Sequence, residues 1–428
     1  MKSLAQIAAA LQGYDPQALS VPQVQAFLEQ LAPLRLDGPV ETLPVMVAGE
    51  RILAQDVISP VDVPPHDNSA MDGFAFAGSD LMVNHPTVLQ SVGHALAGAA
   101  WTGPALLAGQ CLRITTGAIM PAGLDTVVAH ELVQKEGDRI TIPAGRVQIG
   151  DNRRLHGEDI AKGHAALRQG QRLSPAAWGL LASLGLPTVA VRQRLRVAYF
   201  STGDEILSLG QPPREGAVYD SNRYTVCGLL QRMGCEWIDL GVVPDDPRLL
   251  RAAFEDAARR ADAIITSGGV SVGEADHTKA LMRELGDVDF WRIAMRPGRP
   301  MAVGRMGQTL MFGLPGNPVA VMVTFLAFVR PALWRMAGAN AQDPSISPPL
   351  LKARSTQAIR KKPGRTEYQR AIVSPDAQGQ LCVQTTGDQG SGVLSSMVRA
   401  NGLLVLHHDQ GNVAPGDVVD VMVFAGVM

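Results

Sequence analysis

Cysteine is scarce: the 428 residues hold four (Cys111, Cys227, Cys235 and Cys382), with no Cys-x-x-Cys pair. That excludes a zinc knuckle or a disulfide framework and suits a reducing compartment. Charge is low as well. Asp, Glu, Lys and Arg make up 18% of the chain, against roughly 25% in ordinary globular proteins. The 38 Lys and Arg against 40 Asp and Glu leave a net charge of −2, so nothing marks a nucleic-acid footprint or an anionic membrane surface. The longest apolar run, Val319 to Val329, falls short of the ~20 residues that span a bilayer. No secretory leader is expected at the N-terminus. Extended disorder is excluded by the 46% of apolar residues and by the lack of like-charge blocks.

Glycine and proline, in contrast, are plentiful: 44 and 29 residues, about 17% together against a background near 12%. They follow no period, so they signal turns and close backbone approach. The length exceeds the roughly 150 residues of a single domain, and two to four domains are expected.

The spacing of Val21, Val24, Phe27, Leu28 and Leu31 predicts a helix within 17–34, with Ser20 as N-cap and Pro22 just inside. From about 36 to 190 the texture is β-rich: Val45–Val47, 110–115, 126–129 and 139–142 read as strands, and 175–184 as a helix ending at Gly185. After Arg194, strands at 197–200, 237–242, 263–266 and 290–295 alternate with helices at 222–233, 247–260, 277–285 and 318–336. That alternation predicts a doubly wound parallel sheet, which binds ligands beyond the carboxyl ends of its strands. A Pro-rich break at 344–349 precedes a last β domain. The division expected is 17–60 with 150–193 as a discontinuous N-terminal subdomain, 61–149 inserted into it, 194–343 as the α/β domain, and 344–428 as the C-terminal β domain.

Chemistry collects in the loops of the α/β segment. Ser201-Thr-Gly-Asp-Glu205, Ser267-Gly-Gly-Val-Ser-Val-Gly-Glu-Ala-Asp276 and Gly313-Leu-Pro-Gly-Asn-Pro318 each follow a strand. Such loops, read as leading into helix N-termini, offer amides to phosphate. Asp204, Glu205, Asp220, Asp245, Asp246, Glu274 and Asp276 all fall in loops, the oxygen-ligand chemistry of magnesium shared with a substrate phosphate. Asp220 and Asp246 are equally readable as helix caps, and Asn317-Pro318 as a cap with a first-turn proline. Arg292 and Arg296-Pro-Gly-Arg299-Pro supply cations suited to an oxyanion. The histidines His130, His156 and His277 show no ligand spacing, and the methionines between 295 and 322 read as core filler.

Taken in order with Asp67-Asn-Ser-Ala-Met-Asp-Gly73, Thr116-Gly117 and Gly157-Glu-Asp159, these strings resemble the molybdopterin molybdenumtransferase (MoeA) family, which includes the E domain of gephyrin. The resemblance runs over nearly the whole chain. It implies a molybdopterin-binding α/β domain flanked by β-rich N-terminal subdomains and a C-terminal β-barrel-like domain. It also implies a cytoplasmic homodimer whose site lies in a cleft between subunits. The implied reaction inserts molybdate into the dithiolene of adenylylated molybdopterin, with Mg²⁺ required and AMP released.

By that resemblance Asp67, Glu205, Asp245 and Asp276 are catalytic, the last three as Mg²⁺ ligands together with the substrate phosphate. Thr116, Arg154, Asp159, Ser267, Gly268, Gly269, Pro315, Asn317, Pro318, Arg370 and Ser391 contact substrate. Arg296 and Arg299 stand where many relatives carry lysines that hold the oxyanion. Transient contacts with other proteins of molybdenum cofactor biosynthesis are implied, and none with nucleic acid or membrane. An adenylyltransferase built on the same α/β unit, a non-catalytic molybdopterin-binding scaffold, and a preference for tungstate remain the competing readings.

Overall fold

The structure is a computed structural model describing residues 2–32, 34–269, 277–340, 343, 349–426 and 428. Contacts divide the chain into two units: residues 1–55, 169–174 and 189–428 form the first, and 56–168 with 175–188 the second.

The first unit is built on a six-stranded sheet. Its strands are β1 (Arg196–Thr202), β2 (Glu236–Val243), β3 (Ala263–Ser267), β4 (Asp287–Arg292), β5 (Pro300–Met306) and β6 (Thr309–Leu314), in spatial order β2-β1-β3-β6-β5-β4. Pairs β1–β2, β1–β3 and β3–β6 are parallel, as the alternation of strands and helices predicts. The far edge differs, since β4–β5 and β5–β6 are antiparallel. The reason is local. Only Gly307 and Gln308 separate β5 from β6, too few for a crossover helix, and Gly307 takes the positive φ (61°) of a tight reversal.

Side chains alternate across this sheet. Val197 and Tyr199 of β1 enter one core with Leu4, Ile7 and Phe27, while Ala198 and Phe200 enter the other with Leu250 and Phe254. Helices α1 (Leu4–Ala10), α2 (Val21–Leu31), α3 (Ser221–Arg232) and α6 (Pro318–Met336) serve the first core; α4 (Pro247–Arg260) and α5 (His277–Leu285) serve the second. Asp246 caps α4 by accepting from the amides of Arg248 (2.8 Å) and Leu249 (3.3 Å), and Phe254 meets Phe200 edge-on at 5.0 Å. Burying Leu250 and Phe254 stabilises by about 1.5–3 kcal/mol each.

Helix α6 is long and apolar enough to cross a membrane, yet 89% of that stretch is buried inside the protein. It is a core helix. It widens to a π-turn over Phe325–Val329, just before Pro331, whose missing N–H breaks the i→i−4 ladder there.

The C-terminal strands, β7 (Leu351–Ser355), β8 (Thr366–Pro375), β9 (Leu381–Thr385), β10 (Gly402–Leu406) and β11 (Val418–Val423), close into a barrel in the order β8-β9-β7-β11-β10-β8. Residues 290–295, expected as one strand, divide at Ile293. β4 ends at Arg292, and Met295–Arg296 leaves the sheet to pair in parallel with Thr366–Glu367 of the barrel. One other expectation shifts. Val45–Val47 is a 3₁₀ turn behind the strand Val40–Pro44, because Pro44 cannot continue a ladder. Helix α1 starts on a signal that is present in the sequence: Ser3 and Gln6 form a reciprocal capping box.

The second unit holds its own six-stranded sheet, ordered 126–129, 73–76, 110–114, 87–95, 139–142, 134–136. Apolar clusters occupy both faces, with Ala75, Leu112 and Val127 on one and Phe74, Cys111 and Val128 on the other.

Candidate functional site

A two-lobed cleft opens in the first unit beyond the carboxyl ends of β1, β3 and β6. One lobe, about 520 Å³, is walled by Ser201, Thr202, Asp220, Asn222, Ser267 and Pro318 among others. The second, about 650 Å³, is walled by Gly269, Arg296, Arg299, Pro315, Arg365 and Ser391 among others. Glu205, Gly268, Gly316 and Asn317 border both lobes.

The glycine at 268 is a geometric requirement. Its φ is +94°, and a Cβ there would lie 2.3 Å from the carbonyl oxygen of Thr202. Backbone can cross the strand ends this closely only without a side chain. Gly298 behaves alike in the arginine turn, where a Cβ would meet Thr324 Cγ2 at 2.5 Å.

Two of the three loops do not present phosphate-binding helix ends in the way the sequence suggests, and residues 270–276 of the third lie outside the described residues. Residues 201–205 run into the short strand Ile206–Leu207, not a helix, and the Ile206 amide donates to Gly203 O. At α6 the amide of Val319 donates to Ser391 O at 3.2 Å. Asn317 precedes this helix but does not cap it with its side chain; Nδ2 donates to Ser391 Oγ at 3.0 Å instead. The barrel loop is thereby latched to the α/β domain, with the Ser391 hydroxyl proton left over for an acceptor in the cleft.

The acids divide. Glu205 borders both lobes, is exposed, and forms no ion pair with a described residue. Asp245 stands behind the wall, accepting from Thr202 Oγ1 at 2.7 Å, while its amide donates to Asp204 Oδ1 at 3.2 Å. Asp220 caps α3 through Oδ1, which accepts from the Arg223 amide at 3.1 Å. Asp276 lies outside the described residues, as does Glu274. Among the described residues no three His, Cys, Asp or Glu side chains gather into a metal-binding group.

The cations divide too. Arg296 and Arg299 are exposed on the second lobe and form no ion pair with a described residue. Arg365, absent from the sequence-based set, joins them, with Glu367 at 2.8 Å as its partner. Its only signal was the polar string 364–370. Arg292 ends β4 and is not a wall residue.

Arg370 corrects an expectation. It is 1% exposed, and its guanidinium donates to Ser396 Oγ (2.9 Å) and to the carbonyls of Asp388 (3.1 Å), Gln389 (3.2 Å) and Gly390 (2.9 Å). It holds the loop that carries Ser391 and faces no open space itself. Burial lowers its pKa from the usual arginine value.

In the second unit the structure gathers strings that composition could not connect. Asn68–Ser69 pairs with Arg153–Arg154, and the Gly117 amide donates to Ser69 O at 2.8 Å. Asp67 accepts from the His156 amide (2.7 Å) and from Arg153 Nε (2.8 Å). Thr116 donates to Asp72 through both its amide (2.6 Å) and its hydroxyl (2.9 Å). Arg154, Thr116 and Asp159 are exposed on this surface. Asp67, expected to be catalytic, is engaged in tying its own loop to the 153–156 segment, while Asp72 and Ser69 hold the Thr116 loop.

The His156 amide, aided by Arg153, holds the Asp67 pKa below its usual 3.8. A carboxyl depressed in the folded state stabilises fully above its unfolded value and loses that contribution as pH falls through the folded value. An Asp67→Asn chain is therefore expected to melt below wild type at pH 7. The gap should narrow as pH drops below about 4, as thermal scans at pH 7 and pH 3 would measure.

A mixed α/β sheet with its cleft at the parallel-strand ends, latched to a closed barrel, defines a multidomain protein of the class that binds ligands at the carboxyl edge of an α/β sheet. Three family signatures agree: "MoeA N-terminal region (domain I and II)" over residues 19–185, "Probable molybdopterin binding domain" over 198–335, and "MoeA C-terminal region (domain IV)" over 352–424. The molybdopterin molybdenumtransferase of Haemophilus influenzae is 40% identical over 404 residues, 94% of this chain and 98% of that one. The Synechococcus elongatus protein of the same name is 34% identical over 93% of this chain and 97% of its own. The Pyrococcus horikoshii moeA crystal structure superposes with a TM-score of 0.78 at 27% identity, covering 95% of this chain and all of that one. The chain belongs to the molybdopterin molybdenumtransferase family, enzymes of molybdenum cofactor biosynthesis.

Proposed function

We propose that the chain inserts molybdate into the dithiolene of adenylylated molybdopterin, releasing AMP, in a Mg²⁺-dependent reaction. The observation that carries this reading is the pairing of two unlike lobes across Glu205. One is lined by hydroxyls and glycine backbone, suited to a phosphate ester. The other carries Arg296, Arg299 and Arg365 beside Ser391, suited to a tetrahedral oxyanion.

Arg296 and Arg299 draw molybdate into the second lobe, and the Ser391 hydroxyl donates to one of its oxygens. Ser267 and the Gly268 backbone hold the phosphate ester in the first. The two reactants are thus held on either side of a shared border, which converts an encounter into a local step. The donor set fits magnesium, which takes one or two carboxylates and shares the rest of its shell with water and phosphate. Glu205 would hold the ion at the border of the lobes, with Asp276 of the sequence-based set as its second carboxylate and Asp245 orienting Thr202 from behind the wall. When bound, the ion neutralises charge on the phosphate as the P–O bond breaks.

We further place the chain in the cytoplasm as a homodimer. In that arrangement the Asp67, Thr116, Arg154 and Asp159 surface of one copy borders the cleft of the other. The four-part division, with 61–149 inserted into 17–60 and 150–193 ahead of 194–343 and 344–428, belongs to the same proposal.

The test is incubation with adenylylated molybdopterin, Mg²⁺ and molybdate. AMP release with reconstitution of an apo-molybdoenzyme is expected. ATP consumption with pyrophosphate release would point instead to the adenylyltransferase, and inactivity with intact molybdopterin binding to the scaffold. Tungstate run in parallel reads the oxyanion preference. Replacing Arg296 and Arg299 together by alanine is expected to raise the molybdate KM at least tenfold, as about 1.4 kcal/mol of lost attraction would. The change should shrink at high ionic strength, where screening already weakens both pairs.

A further inference from the structure

Tyr199 is buried behind Ser201 and Ser267 of the first lobe's wall. Tyr199 lies two residues before Ser201 on β1, and β1 and β3 pair in parallel with Ser201 directly opposite Ser267. Period-two alternation puts Tyr199 and Ser201 on one face, and the register sets Ser267 beside them. The result is a triangle of hydroxyls. Tyr199 Oη lies 2.6 Å from Ser267 Oγ and 2.9 Å from Ser201 Oγ, and the two serines are 3.3 Å apart. A fourth group closes it: Asn222 Nδ2 donates to Ser267 Oγ at 3.4 Å and to Gly316 O at 2.7 Å. The carbonyl of Gly316 accepts only, so the amide cannot be turned the other way.

The three oxygens hold three protons, and Asn222 adds a donor from outside. A serine oxygen accepts two hydrogen bonds and donates one. Ser267 Oγ receives the Asn222 amide and can receive the Tyr199 proton, the phenol oxygen standing at the shortest distance of the set. Its acceptor capacity is then full. Its own proton has the distant Ser201 Oγ (3.3 Å) or the cleft to serve. Ser201 Oγ, at 2.9 Å, is the second partner of the Tyr199 phenol oxygen. Tyr199 is fully buried at 0% exposure, whereas Ser201 and Ser267 both reach the first lobe.

We propose that Tyr199 is a positioning residue: it fixes the Ser267 hydroxyl as a dedicated hydrogen-bond donor to an anionic phosphate oxygen of the substrate in the first lobe. The chain of bonds runs from Ser201 through Tyr199 to Ser267 and out into the cleft. Without the phenol, the Ser267 proton is free to turn inward toward Ser201, and part of the donor's orientation is lost on binding. The residue touches no substrate itself. The inference rests on the reading under Proposed function that this lobe takes the phosphate ester.

The test is a double-mutant cycle on the full-length chain with Tyr199→Phe, Ser267→Ala and the pair. Thermal unfolding of each variant is recorded, and AMP is the binding probe alongside turnover of adenylylated molybdopterin. Phenylalanine keeps the ring and the packing and removes only the oxygen. Tyr199→Phe is expected to raise the AMP Kd and the substrate KM three- to tenfold with kcat within twofold, the scale of one net hydrogen bond. In the Ser267→Ala background the same change is expected to add less than twofold. Penalties that multiply across the cycle would overturn the relay, as would an unchanged Kd in Tyr199→Phe. Should Tyr199→Phe melt well below wild type, AMP titration of the four chains at a temperature where all of them stay folded reads the same cycle. An unchanged Kd there would overturn the proposal equally. A wild-type chain that binds no AMP and turns over no adenylylated molybdopterin would remove the functional reading and this inference with it. Normal wild-type binding with multiplying penalties removes only the inference.

Discussion

A Glu205→Gln chain is expected to release AMP from adenylylated molybdopterin at least about 100-fold more slowly than wild type, the usual scale for removing a charged group that acts at the reacting centre. Its melting temperature should stay unchanged. The two expectations come from one fact about the residue. Glu205 borders both lobes, is exposed, and forms no ion pair with a described residue, so it supports no packing. Surface substitutions of this kind shift stability within about 0.5 kcal/mol. Glutamine keeps the length and one acceptor but removes the charge that would meet magnesium and phosphate. Steady-state rates with a thermal scan on the same preparation measure both. Wild-type rates in the variant would remove Glu205 from the mechanism.

Arg370→Met is expected to do the opposite, damaging the fold first and activity second. The guanidinium makes four hydrogen bonds at 1% exposure, to Ser396 Oγ and to three successive carbonyls of residues 388–390. Methionine fills much of the volume and leaves the buried Ser396 hydroxyl and the part-buried carbonyls of 388–390 without their donors. Each unsatisfied group costs about 1–3 kcal/mol, and relaxation of the loop limits the total to about 3–5 kcal/mol. The loop it releases carries Ser391, so the molybdate KM should rise as well. Lysine should recover only part of the stability, because a single ammonium cannot reproduce the planar fork. Denaturant unfolding of the three chains distinguishes these outcomes.

What could be read from the sequence was local. The Ser20-Val-Pro22 start of α2, the Asp246-Pro247 start of α4 and the apolar spacing of both helices are set by neighbours three and four positions away, and the structure reproduces those elements. The methionines at 295, 301, 306, 311 and 322 are buried, as their setting suggested. What could not be read was pairing at a distance. Nothing near Asn317 says that its side chain reaches Ser391, 74 residues on, in place of its own helix. Nothing near Met295 says that the strand leaves its sheet to join the barrel. Asp67 and Arg370 look alike in sequence, polar residues in Gly-punctuated strings. Only the fold shows that both are engaged in holding loops together. The hydroxyl triangle likewise depends on the β1–β3 register, which no single segment encodes.

The charge balance takes on meaning in the same way. A net charge of −2 conceals a cleft with Arg296, Arg299 and Arg365 walling one lobe and Glu205 at the border with the other. The central claim is that this cleft brings an oxyanion and a phosphate ester side by side. The most direct measurement is a crystal structure of the chain soaked with molybdate, with the metal located by anomalous scattering at the molybdenum edge. The account predicts a peak in the second lobe, within hydrogen-bonding reach of Arg296 or Arg299 and of Ser391. A molybdenum peak found elsewhere, with that lobe empty, would contradict it.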